Sequence, residues 1–466
     1  MTLTSYQIQA VPGKSGLGSA PLSSAPSARP LARKPLRIAV VGAGPGGLAF
    51  TIFAQRLNNV EISVYDQARE LKEVGAGISI NQNTWRLLRL LGAAEAIEQY
   101  TSRGDGTRVD TEHRNGRTGA VLGRHFQAVD PDSPPRSRIE RYKLQKALLA
   151  QIPRDSIQLG KKLSQITETP EGIYLSFPGE TTRSGPFDLL VGADGIRSVR
   201  ASADVPALAR LYLTFSQVVR QHAFPEHRLS YTGKVAYRTL IPASKVAHIP
   251  DLPQASCFWH TPTTHVYTCF LDNGLFEIAT RAIESEEHGA KVSWGQVAQK
   301  EQVVGHYSGY CDAIKAVIDA PDSWLEFAIF GGDRLDTVVH GDRTALLGDA
   351  SHPLSGAFGS GAAFAFEDAY TLVSAIEYVQ SRGEPISRSL AIYDEVRSPH
   401  YTALYEVLDT MGQNAQAVKK TEVDGDAIVE ETIKRNWKGE NGWIYTHDIT
   451  KTWSKWMKAQ QSRATS

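Results

Sequence analysis

The sequence predicts an α/β fold in which a nucleotide-binding domain is interleaved with a β-rich domain and followed by a C-terminal helical segment. Three observations predict it. From Leu36, a strand, a glycine turn, a helix and a second strand follow one another within the roughly 30 residues of a βαβ unit. Between Tyr212 and Phe330 the pattern turns to strand alternation, as in Val266-Tyr267-Thr268-Cys269-Phe270. An apolar strand then returns at Leu346-Leu347, with helical spacing from Gly361 to Tyr378. Nucleotide-binding texture on both sides of a β-rich stretch fits interleaving better than domains in series.

The chain has 466 residues, room for two to three domains at about 150 residues each. Its 41% hydrophobic content suffices for a sizeable core. A formal net charge of zero gives no electrostatic reason for nucleic acid or an anionic membrane as partner. No apolar run approaches the ~18 residues of a membrane span. Cys257, Cys269 and Cys311 show neither zinc spacing nor a Cys-x-x-Cys pair, so a reduced, cytoplasmic setting is expected. No His-Glu-x-x-His and no clustered acids suggest a metal. Residues 1–34 are rich in Ser, Ala, Pro and Gly and read as a disordered leader. Arg29, Arg33 and Lys34, with no acid among them, keep an organelle-targeting leader as the lesser alternative.

Each element follows in order. Leu36 to Val41 is a buried strand. Gly42, Gly44 and Gly47 satisfy G-x-G-x-x-G: the first allows a tight turn, the second lets backbone approach a pyrophosphate, and the third lets helix pack on strand. The helix that follows, with apolar spacing from Leu48 to Leu57, offers free N–H groups to the phosphates. Val60 to Tyr65 is the second strand. Asp66 ends it, where a carboxylate accepts hydrogen bonds from ribose hydroxyls. This Rossmann-like pattern alone does not separate NAD from FAD. Helices are expected at 83–91 and 142–152, and a buried strand at 188–191. The nucleotide-binding domain is assigned residues 36–110, 136–210 and 335–400, the β-rich domain 111–135 and 211–334, and the C-terminal helices 401–466. Trp437, Trp443, Trp453 and Trp456 are expected to pack these last helices onto the body.

Two further motifs decide between the nucleotides. Val191-Gly192-Ala193-Asp194-Gly195-Ile196-Arg197-Ser198 and Leu347-Gly348-Asp349-Ala350-Ser351-His352-Pro353 resemble the DG and GD motifs of the group A flavoprotein monooxygenases. These are the aromatic hydroxylases of the para-hydroxybenzoate hydroxylase fold, and the chain looks closest to their fungal salicylate hydroxylase-like branch. Three motifs in order, over Leu36 to about Tyr401, make the resemblance specific. It implies FAD as cofactor, NADH or NADPH as co-substrate, and O2. It implies hydroxylation of a phenolic or aromatic acid through a flavin C4a-hydroperoxide. A larger phenolic intermediate of natural-product biosynthesis is the alternative substrate; a non-catalytic flavin-binding scaffold is the alternative of another class.

By the same resemblance, Gly42, Gly44, Gly47 and Asp66 would hold the ADP half of FAD, with Gly77 also in the cofactor-binding set. Arg141 would lie beside the pyrophosphate and ribityl chain, and Asp349 would bind ribityl hydroxyls. Asp194 and Gly195 would serve both FAD and the incoming nicotinamide. Gly359, Gly361 and Ala362 open a helix whose N-terminus, aimed at the isoalloxazine, would stabilise the negative charge of reduced flavin. The chain departs from the family at Gly356 and Ser360, where a proline and a glutamine are common, and at Cys269-Phe270, where Tyr-Pro is frequent. The departures put substrate contacts near the flavin in doubt. Arg238 resembles a pocket-facing arginine and equally reads as a brace on a strand end. Arg238 and His352, within the GD motif, are the catalytic candidates. His260 and His265 are further possible bases, though a lone histidine is more often structural.

Overall fold

A computed structural model describes residues 34–71, 77–100, 109–126, 136–195, 217–227, 229–271, 274–292, 295–332, 334–354, 356–420, 424–437 and 441–465. The expected leader, apart from Lys34, and Ile196, Arg197 and Ser198 of the DG motif lie outside the described residues. Residues from Pro35 onward make one compact unit.

The glycine motif belongs to a six-stranded sheet. Leu36–Val41 lies in its middle, flanked by Val60–Tyr65 on one side and Leu189–Gly192 on the other. Ile157–Gln158 closes one edge; Thr344–Leu346 and Val339–His340 close the other. All pairs are parallel except the last, an antiparallel hairpin. Burial on both faces explains why these strands read as apolar runs. Ile38, Val40, Val64 and Val191 pack on the helix side. Ala39, Val41, Leu190 and Leu346 pack on the opposite side, together with Leu175 and Phe187 of a small three-stranded sheet.

The helix after the glycines runs Pro45–Ala54, three residues earlier than its apolar spacing suggests, because proline is well placed at a first helical position. The expected 83–91 and 142–152 helices run Gln82–Leu91 and Arg141–Leu149. The expected 188–191 strand is Leu189–Gly192. The long helix Gly361–Arg382 packs against Pro45–Ala54.

The second large sheet has eight strands, in the order Gln296–Ala298, Trp324–Gly332, Leu229–Pro242, Leu275–Ile283, His265–Phe270, Ser256–His260, Val109–Asn115 and Val121–Phe126. Its first six strands come from the late β-rich stretch and its last two from much earlier in the chain, so the interleaving is physical. Strict alternation divides its residues. Val235, Tyr237, Trp259, Val266 and Ile278 face one core, covered by the helices Lys300–His306 and Asp312–Asp319. Their neighbours face a cleft. These two short helices, with Val218–Ala223 and Glu286–Lys291, were not legible in the sequence. Gly77–Ile80 pairs antiparallel with Ser137–Glu140 in a separate two-stranded sheet, which is tied to the second large sheet where Gly77 and Arg138 donate to Glu277. No described helix is long and apolar enough to cross a membrane.

Candidate functional site

A cleft of about 1030 Å³ runs between the two large sheets, lined by the glycine turn, both Asp-containing motifs and the open face of the eight-stranded sheet. Gly42 has φ +107°, and a Cβ there would stand 2.2 Å from the Ala193 carbonyl oxygen. A Cβ on Gly47 would stand 1.9 Å from the Gly42 carbonyl oxygen, so the third glycine serves helix packing. Gly44 faces open space. The Asp66 carboxylate accepts from the backbone N–H of Ala43 and of Ala68, each at 2.7 Å. It therefore holds the glycine turn as well as facing the cleft. The Gly77 N–H donates to Glu277 Oε1 at 2.8 Å, tying the cofactor half to the second sheet.

Asp194, Gly195, Asp349, Arg141, Gly361 and Ala362 all line this cleft. Asp194 Oδ1 is shielded from solvent and has no hydrogen-bond partner among the described residues, and burial pushes its carboxyl up to about 7. Asn81 Oδ1, also in the cleft wall, is equally unpartnered. The Gly195 carbonyl accepts from Gln217 Nε2 at 2.7 Å. Asp349 projects into the cleft, and desolvation by its walls pushes its carboxyl up as well. Arg141 is the first residue of its helix, and Gly361 opens the 22-residue Gly361–Arg382. Ser360, at a position of family departure, is held by Asn81 Nδ2 at 2.9 Å.

His352 does not reach the cleft. It is 2% exposed, its Nε2 lies 3.0 Å from Asp368 Oδ2, and its ring stacks on Tyr401 at 3.7 Å. The catalytic expectation for His352 is therefore corrected: the residue braces the GD loop from behind. Asp368 also accepts from Gly348 N–H at 2.8 Å and from Arg397 Nε at 2.8 Å. Arg397 continues to Glu367 at 2.9 Å, and Glu367 to His447 Nδ1 at 3.1 Å. Glu367, His400 and His447 converge within metal-ligating distance of one another, and Arg397 supplies the positive charge there. From the other side Arg220 donates to the carbonyls of Ala350 and Ser351 at 2.7 and 3.0 Å. Neither clamp was found from sequence, because each joins residues far apart in the chain.

The open face of the second sheet carries Arg238, which lines the cleft. Its Nε has no hydrogen-bond partner among the described residues, and its guanidinium lies 5.5 Å from the centre of the Phe327 ring. Burial, together with Arg138, Arg141 and Arg281 nearby, pulls its pKa down to about 10. Arg138 is matched by Glu277, at 2.7 and 2.9 Å. Cys269 is buried outside the cleft lining; Tyr267, two residues earlier on the same strand, supplies a phenol there and donates to Ser256 Oγ at 3.0 Å. The strand thus brings a phenol to the cleft although Cys269-Phe270 itself carries none. His260 and His265 line the cleft, and His260 Nε2 lies 2.9 Å from His113 Nδ1. Trp437 departs from the packing role expected of it: it stacks near His113 and His125, at 4.7 and 5.0 Å, and lines the cleft. Trp453 and Trp456 do pack, 5.0 Å apart and against Tyr378.

Residues 36–407 match the family described as FAD binding domain. The chain belongs to that family. FAD is its cofactor, and the cleft fits it: shielded acceptor oxygens on Asp194 and Asn81 await donors, and the open side of Gly44 leaves backbone accessible to phosphate. A salicylate hydroxylase of Pseudomonas putida is 25% identical over 434 residues, covering 89% of this chain and 93% of the relative. A 6-methylsalicylate 1-monooxygenase of Aspergillus terreus is 26% identical over 435 residues, covering 89% and 90%. A solved salicylate hydroxylase substrate complex superposes with a TM-score of 0.67 at 22% identity, covering 90% of this chain and 98% of that one; it shares the fold. The flavoprotein thus has its Rossmann-like half and its β-rich half arranged as in that structure.

Proposed function

We propose that this flavoprotein is an NAD(P)H-dependent monooxygenase that hydroxylates a phenolic aromatic acid with O2. The observation that carries the reading is Arg238 on the open sheet face: it lines the same cleft as the cofactor loops, its Nε has no hydrogen-bond partner among the described residues, and the neighbouring Glu277 is engaged with Arg138. The names of the relatives, hydroxylases of salicylate and 6-methylsalicylate, support an acidic phenol as substrate. The three cysteines are free, which supports a reduced, cytoplasmic setting.

Bound FAD would supply the redox chemistry, taking reducing equivalents from the nicotinamide and activating O2 for transfer to the ring. The protein does the rest. Gly42, Gly44, Asp66 and Arg141 would hold the nucleotide and phosphates, and Asp194 and Asp349 would accept from its hydroxyls. The N-terminus of Gly361–Arg382, opening on the cleft, offers N–H groups where negative charge develops. Arg238 pairs with the substrate carboxylate or phenolate; its fork geometry fixes the ring's orientation and favours the anionic, more nucleophilic form. Phe327 and Ala279 beside it keep that region dry. In balance, one oxygen atom enters an aromatic C–H bond. The other leaves as water, with two electrons and a proton from NAD(P)H and a second proton from solvent.

The test is NAD(P)H oxidation by the FAD-loaded protein over a panel of phenolic acids, with product analysis. Stimulated oxidation accompanied by one hydroxylated product per turnover is expected. A flavin-loaded protein that no phenolic acid stimulates would overturn the reading.

A further inference from the structure

The open sheet face changes character along its length. Cross-strand register aligns Arg238 with Ala279, Ala279 with Tyr267, Tyr267 with Phe258, and Phe258 with His113. A second row aligns Arg281 with His265 and His265 with His260. Residues in register on neighbouring strands share a face, and all eight line the cleft. Cationic side chains therefore stand at one end and flat rings at the other. Arg238 and His113 are four strands apart, roughly 19 Å, several times the width of one benzene ring.

The far end is built from rings. His113 stacks with Phe258 at 5.5 Å and with His260 at 5.1 Å, with Trp437 at 4.7 Å and His125 edge-on at 5.2 Å. Phe258 and Trp437 are only partly buried, so ring surface is left facing the cleft. Burial pulls the pKa of His113 down to about 2 and that of His260 to about 4, so these imidazoles are neutral near pH 7. His113 Nε2 is shielded and has no partner among the described residues. A single-ring acid paired with Arg238 leaves this end uncovered.

We infer that the Phe258–His113–Trp437 end of the cleft is a second subsite for an uncharged aromatic group of the same substrate, so that the natural acceptor carries at least two rings. The inference rests on the hydroxylase reading and specifies its substrate class. An acidic ring binds at Arg238, a second ring stacks on Phe258 and Trp437, and a hydroxyl or carbonyl on that second ring meets His113 Nε2.

The test titrates FAD-loaded protein with salicylate and with 4-phenylsalicylate, whose second ring points away from the carboxylate. The two-ring acid should bind at least about tenfold more tightly. Phe258→Ala and Trp437→Ala should each remove most of that advantage and change salicylate affinity by less than about twofold, with FAD content and melting temperature checked on the same samples. Equal affinity of the two acids for the unmodified protein, or equal losses for both acids in the variants, would overturn the subsite and leave the hydroxylase reading standing. Binding of neither acid would overturn the subsite, and the hydroxylase reading with it only if no acid of the phenolic panel stimulates NAD(P)H oxidation.

Discussion

Replacing Asp66 by alanine separates two duties that the structure places on one carboxylate. Its two oxygens accept from the N–H groups of Ala43 and Ala68, each at 2.7 Å, and the group faces the cofactor cleft. A hydrogen bond to a charged acceptor contributes about 1.5–3 kcal/mol, and the fully buried Ala43 would keep an amide that no longer has its acceptor. A loss of a few kcal/mol against a typical total of about 5–15 leaves the protein folded with a lower melting temperature. Loss of one or more ligand hydrogen bonds, on top of a loosened turn, should weaken FAD binding about tenfold to hundredfold. Asp66→Asn, which keeps one acceptor oxygen, should fall between. The assay is titration of cofactor-free protein with FAD, read by quenching of flavin fluorescence, beside thermal melts. Unchanged FAD affinity in Asp66→Ala would refute the ligand role, and an unchanged melting temperature would refute the loop-holding role.

Other outcomes follow from the same geometry. Arg238→Ala should bind aromatic acids at least about tenfold more weakly, and Arg238→Lys nearly as badly, since a point charge does not replace a fork; FAD content should stay normal, and normal turnover in a folded Arg238→Ala protein would end the pocket role. Arg397→Met leaves Asp368 and Glu367 buried without their cation and should cost about 3–5 kcal/mol, visible in a thermal melt; an unshifted melt would show that this network does not hold the GD loop. Burial raises Asp194 from 3.8 to about 7, so in cofactor-free protein its ionisation opposes folding. That penalty is absent below pH 4 and grows as pH rises toward 7, so Asp194→Asn should gain on the parent protein across that window by up to a few kcal/mol. A constant difference in melting temperature from pH 4 to 7.5 would contradict it.

What could be read from the sequence was local. The glycine turn, its strand, its helix and Asp66 lie within one βαβ unit, so spacing alone fixed their meeting. The DG and GD motifs were equally compact, and Asp194 and Asp349 reached the cleft together. His352 misled because membership of a short motif says nothing about which way a side chain turns; Asp368, sixteen residues later, draws it inward. Arg238 was ambiguous because a strand has two faces, and only its pairing with Ala279 and Phe327's strand shows which one is open. Tyr267, Arg281, His113 and Trp437 were missed as a group for a related reason. They meet through cross-strand register and through a helix end more than 300 residues from His113. No short window of sequence contains both partners.

The buried chain of contacts from Gly348 through Asp368, Arg397 and Glu367 to His447 also constrains how the protein is made. Asn83 Nδ2, close to the glycine turn in sequence, donates to the Ile444 carbonyl at 3.2 Å, and Tyr445 and Thr446 line the cofactor cleft. A ribosome that has released Gly42 must still add about 400 residues before these partners exist, roughly 20–80 s of synthesis. Throughout that interval the nucleotide-binding turn is present but its cavity lacks a wall. Cofactor capture therefore belongs to the finished chain, and the waiting intermediate is exposed to chaperones and proteases.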